Sequence, residues 1–115
     1  MYPLIYQKNM TSEKWNGYPR SQQILSIANE MNRAQNALLK GNLENAEHAW
    51  ERAFELTDLT IEGSRATTLL KELLRFREML GAVFVNPDPS THLKLMEAFI
   101  ALDPGAYNAL HSFRN

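Results

Sequence analysis

From Ser21 to Glu62 the apolar positions recur at three- and four-residue steps, with one interruption at Lys40-Gly41-Asn42. That spacing collects them on one face of a helix rather than on alternate faces of a strand. In the first run, residues 19–40, the stripe is Ile24, Ile27, Ala28, Met31, Ala34, Leu38 and Leu39. Pro19 suits an opening turn, where the amide hydrogen it lacks would have no partner anyway. Gly41 stands just past the end, where a left-handed residue is usually needed, and Asn42 can cap the next helix. So short a link makes the two helices antiparallel neighbours.

The second run, 42–62, carries Leu43, Ala46, Ala49, Trp50, Ala53, Phe54, Thr57 and Ile61, small residues beside a few bulky anchors. Gly63 ends it, and Ser64 can cap a third helix over 64–85. There Leu69, Leu73, Phe76, Leu80 and Val83 make a heptad-like seam that Leu70, Leu74 and Phe84 widen. Asn86-Pro87-Asp88-Pro89 is a firm stop, because proline neither continues a helix nor lets its predecessor do so. Asp88 or Ser90 then caps a shorter helix, 89–102, with Leu93, Met96, Phe99 and Ile100 inward. Asp103-Pro104 opens a terminal helix over 104–112, with Tyr107, Leu110 and Phe113 as its apolar residues. Residues 1–18 show no period, although Tyr6, Trp15 and other large side chains crowd them. This arm either packs along the bundle or docks on a second subunit, since aromatic residues are enriched at interface cores. No stretch alternates like a strand. The expected fold is an all-α, up-down antiparallel bundle of three long helices, a shorter fourth and an irregular N-terminal arm, in one domain, 1–115.

Composition narrows the function. The 115 residues are 44% hydrophobic and 22% charged, and a formal net charge of -1 gives no general attraction to nucleic acid. With no cysteine, thiolate metal sites and disulfides are excluded. No apolar run approaches the ~20 residues of a membrane span, and the N-terminus lacks the pattern of a signal peptide. A soluble, cytoplasmic protein is expected. Di-metal bundles need Glu and His three residues apart on two helices. Here Glu44 and His48 are four apart without a second copy, and His92 and His111 stand alone. Exposed histidines are expected, with no metal and no cofactor. Phosphate-loop and nucleophile-elbow motifs are missing, so no catalytic residue is assigned.

Charge is more informative. The second helix sets Glu44, Glu47, Glu51, Glu55, Asp58 and Glu62 against the single Arg52. These six acidic residues, with Tyr6 and Trp15, are the candidate interaction surface; opposed charge would speed and orient docking of a basic partner. The alternative is a solvated face answered by the basic flanking helices. Glu30, Arg33, Arg52, Asp58, Glu72, Arg75 and Arg77 fall near the apolar stripes and can form ion pairs that set helix register.

Gly41, Ala46, Trp50 and Ala53, spaced G-x4-A-x3-W-x2-A, resemble the turn and second helix of a tetratricopeptide repeat. Asp58 stands where that family has proline, and no second copy follows, so a repeat array is not implied. The run RAQNALLKGNLENAEHAWERAFEL, 33–56, is similar to the central hairpin of HEPN domains, four-helix bundles of toxin–antitoxin and nucleotidyltransferase-linked systems. Their RNA-cleaving members carry Arg and, four to six residues on, His. None of His48, His92 and His111 has such an Arg upstream, so the resemblance implies a non-catalytic member acting through its interfaces. The general layout is also similar to flagellar export chaperones, which implies an apolar groove, expected beside the fourth helix, for an amphipathic helix. The expected function is a non-enzymatic protein-binding or adaptor bundle that self-associates, with an RNA-system protein and a chaperone as alternatives. The expected partner is a protein, a second copy of the chain included; no membrane is expected, and nucleic acid is disfavoured.

Overall fold

The computed structural model describes residues 10–65 and 67–113, with the side chains of 67 and 110–113 outside that description. The described residues form six helices and no strand: α1 (Ser12–Asn16), α2 (Arg20–Leu39), α3 (Leu43–Gly63), α4 (Thr67–Val85), α5 (Pro89–Ile100) and α6 (Pro104–Phe113). The fold is the expected all-α bundle. One segment differs: the stretch expected to be irregular contains α1, whose first turn is capped by the Thr11 hydroxyl accepting from Lys14 N at 3.1 Å.

The α2–α3 turn is built as its residues suggest. Gly41 adopts φ 73°. Asn42 N–H reaches back to Ala37 O at 2.8 Å and Gly41 N–H to Leu38 O at 3.0 Å. That is the paired bonding of a Schellman termination. Asn42 Oδ1 then accepts from Asn45 N at 3.1 Å, so one residue closes one helix and caps the next. Because a Cβ on Gly41 would meet nothing within 4 Å, only its positive φ resists a side chain. Gly41→Ala is expected to lower unfolding stability by about 1 kcal/mol. Urea titration checks this, and an unchanged midpoint would contradict the left-handed turn.

Contacts along each helix pair give the topology. Asp58 meets Arg77, and Phe54 packs on Phe84, so α3 and α4 run antiparallel. Phe76 lies 4.1 Å from Phe99 between ring centroids, and Met79 and Leu95 share a cleft, so α5 opposes α4. Gln35 meets His92 while Ser21 meets Asp103, so α5 also opposes α2 and the ring closes. The result is an up-down-up-down bundle, α2–α3–α4–α5, around Ile24, Ile27, Met31, Trp50, Leu59, Leu73, Leu80, Phe99 and Ile100. The α6 start docks on α2: Asp103 Oδ2 accepts from Ser21 Oγ at 2.6 Å and from Ala106 N at 2.9 Å.

Several inward assignments need correction. Leu39 and Leu43 flank the turn and are 67% and 47% exposed, because the bundle ends there and none of the described residues covers them. Leu93 is exposed while its neighbour His92 is fully buried, so the inner stripe of α5 is His92, Leu95, Met96, Phe99 and Ile100. Asp88, not Ser90, caps α5; its carboxylate accepts from Thr91 Oγ1 at 2.6 Å and Thr91 N at 3.0 Å. Those two bonds, the hydroxyl's first, hold the Asp88 carboxyl below its ordinary range. Ser64 Oγ makes no hydrogen bond among the described residues.

Candidate functional site

The acidic residues of α3 divide into two groups. Glu44 and Glu62 are exposed at the helix ends, whereas Glu47, Glu51, Glu55 and Asp58 are half-buried. Asp58 is spent on the fold: Arg77 Nε donates to its Oδ1 at 2.5 Å, and the same guanidinium lies 5.5 Å from the Phe54 ring centre. Glu51, Glu55 and His48 have interactions of their own. The stripe exists as a face of α3, but part of its charge ties α3 to α4.

Trp15 is not a surface residue. It is 3% exposed, and its Nε1 donates to Thr60 Oγ1 at 2.9 Å, which pins α1 onto the last turns of α3. Thr60 can accept because its own hydroxyl donates to Leu56 O at 2.8 Å. Gln23 of α2 donates to Trp15 O at 2.7 Å and completes the clamp. Burying the indole stabilises this packing more than exposure would, since its N–H finds a partner inside. Tyr6 lies outside the described residues.

Two polar clusters were not assigned from sequence. In the first, Trp50 Nε1 donates to His92 Nε2 at 2.9 Å, and His92 Nδ1 lies 2.7 Å from Gln35 Oε1. An imidazole nitrogen that accepts from an indole carries no proton, so the hydrogen sits on Nδ1 and points at the amide oxygen. One neutral histidine thereby joins α3, α5 and α2. Burial pushes its pKa down from 6.5 to about 4. This overturns the expectation of an exposed histidine at 92. The available signal was the spacing of positions 92, 95, 96 and 99, which extends the apolar stripe back one turn.

In the second cluster, Glu30 of α2, 5% exposed, is held by two cations. Arg52 Nε of α3 donates to Glu30 Oε2 at 2.5 Å, and Arg33 pairs with Oε1. A buried carboxylate is costly unless its oxygens are met, and here both are. Arg33, Arg52, Lys40 and His48 also line an open cavity of about 460 Å³ on the α2–α3 flank. Glu30 meets both guanidiniums and so answers part of that positive charge.

The third feature is apolar. Along its outer side α4 exposes Leu74, Met79 and Val85, at 49%, 47% and 84%. Beside it, between α4 and α5, lie two cavities of about 590 and 180 Å³ that share Met79 and Leu95 as lining. Phe76, Val83, Phe99 and Leu102 form their walls. Among the described residues, no group of three metal-binding side chains gathers, and no helix is long and apolar enough to cross a membrane. Comparison with family models, with curated proteins and with solved structures finds no match.

Proposed function

We propose that this protein is a binding module that self-associates through the outer side of α4. The observation that supports the reading is the exposure of Leu74 and Met79 on a helix whose opposite side, Leu73, Phe76, Leu80 and Val83, is buried. Large apolar side chains repeated on one exposed helix face mark an interaction site more often than scattered ones do. A second copy is a suitable occupant because two-fold assemblies bring one patch against itself. The Asp58–Arg77 pair ties the helix that carries this face to α3.

Light scattering coupled to size exclusion tests the reading. Dimers are expected to grow with concentration, and Leu74→Glu with Met79→Glu is expected to leave a folded monomer. A parent chain that stays monomeric at millimolar concentration removes the proposal. The cavities between α4 and α5 support a second reading, a groove for an amphipathic helix of another protein. Leu74 lies outside the cavity-lining residues. Leu74→Glu alone therefore weakens self-association but spares helix capture.

A further inference from the structure

Charge order along α4 sets the direction in which two copies can meet, an inference that rests on the self-association reading above. The exposed outer side of the helix is Thr68, Lys71, Leu74, Arg75, Glu78, Met79, Ala82 and Val85. Their spacing, three, three, one, three, one, three, three, is the same read from either end. An antiparallel two-fold pair centred between Phe76 and Arg77 thus maps the set onto itself. Thr68 becomes level with Val85 of the second copy, Lys71 with Ala82, Leu74 with Met79, and Arg75 with Glu78.

The chemistry agrees with that mapping. At the centre Leu74 meets Met79 and Arg75 meets Glu78, while the outer levels, Lys71 with Ala82 and Thr68 with Val85, bring no like charges together. A parallel pair would set Arg75 beside Arg75, Glu78 beside Glu78 and Lys71 beside Lys71. Like charges at an interface exclude wrong arrangements as effectively as attractive pairs select right ones. Arg75 is available for this role: it is 69% exposed, and its contact with Glu72 is a loose 3.7 Å. Pairs of that kind contribute little and exchange readily. The opposite side of α4 is committed to the bundle, so this face can be altered without opening the core.

We propose that two copies of this chain pair through antiparallel α4 helices, with Arg75 of each level with and bonded to Glu78 of the other. The test is charge reversal followed by light scattering and analytical ultracentrifugation. Arg75→Glu alone, or Glu78→Arg alone, puts like charges level at two symmetric places and is expected to weaken the dimer about tenfold or more. The double variant, Arg75→Glu with Glu78→Arg, restores opposition and is expected to recover affinity to within about threefold. Mixing the two single variants is expected to give a heterodimer. Circular dichroism and melting temperature, unchanged in all variants, keep folding apart from assembly. If the parent dimerises but Arg75→Glu has no effect, or the double variant stays as weak as the singles, this register is overturned while self-association stands. A monomeric parent overturns both.

Discussion

Trp50→Ala is expected to lower unfolding stability by about 4–8 kcal/mol. Trp50 is fully buried, lies 5.8 Å from the Phe84 ring centre and donates to His92. Truncating a core tryptophan costs about 3–5 kcal/mol through lost burial and the void it leaves. Here a further cost of about 1–3 kcal/mol follows, because His92 Nε2 loses its donor while remaining in the core. Domains of this size hold a reserve of about 5–15 kcal/mol, so one change can consume most of it. Trp50→Phe separates the two effects. It retains most of the ring volume and the aromatic contact with Phe84 but not the N–H, and is expected to cost about 2 kcal/mol. Urea denaturation followed by far-UV circular dichroism gives both numbers. A Trp50→Phe variant as stable as the parent would contradict the indole–imidazole bond.

Acid should weaken the fold through His92 in a defined window. Folded, its pKa lies at about 4; unfolded, it returns to 6.5. Between those values the unfolded chain binds more protons than the folded one, so stability falls as pH falls. The dependence is flat above about pH 6.5, drops by about 1.4 kcal/mol per pH unit within the window, and flattens below about pH 4. The loss attributable to this one side chain is about 3 kcal/mol. Protonation is disfavoured because it would put an N–H on Nε2 against the N–H of Trp50, with no carboxylate at either nitrogen to meet the charge. Carboxylates also titrate at the acid end, so the measurement is a difference. Parent and His92→Gln are unfolded in urea at pH 7.5, 6, 5 and 4.5. The parent is expected to lose stability more steeply, and parallel curves would show that His92 does not take up the proton.

Local features were legible in the residues themselves. The spans of α2 to α5 followed from the three- and four-residue steps, and the α2–α3 turn from Gly41 and Asn42. The stop before α5 followed from Pro87 and Pro89. These depend on neighbours close in sequence, such as the Gly41 and Asn42 amides returning to Leu38 and Ala37. The ion-pairing residues were also recognisable, and Glu30 with Arg52 and Asp58 with Arg77 do join helices. Their partners were not, because which carboxylate meets which guanidinium depends on helix packing.

Polar residues inside the core were the least legible. Gln23, Glu30, Gln35 and His92 are buried, although their side chains ordinarily favour water. Each is accommodated by a hydrogen-bond partner on another element: Trp15 for Gln23, Arg52 for Glu30, and Gln35 and His92 for one another. A sequence pattern scores such positions as outward because the compensating partner is far away along the chain. Trp15 illustrates the converse: nothing local required it to be inside, yet a hydrogen bond to Thr60, 45 residues away, holds it there.

The sequence by itself determined the helices from α2 onward, the α2–α3 turn with its Asn42 cap, and the apolar stripes that force them to pack. It also carries the palindromic order of Lys71, Leu74, Arg75, Glu78, Met79 and Ala82, whose significance depends on their facing outward. Only the tertiary structure decided the direction of α5, the docking of α1, the burial of His92 and the exposure of α4's outer side. The reason is physical. Backbone hydrogen bonds and caps are satisfied within a few residues, whereas burial of a polar group or exposure of an apolar one depends on what the other helices place beside it.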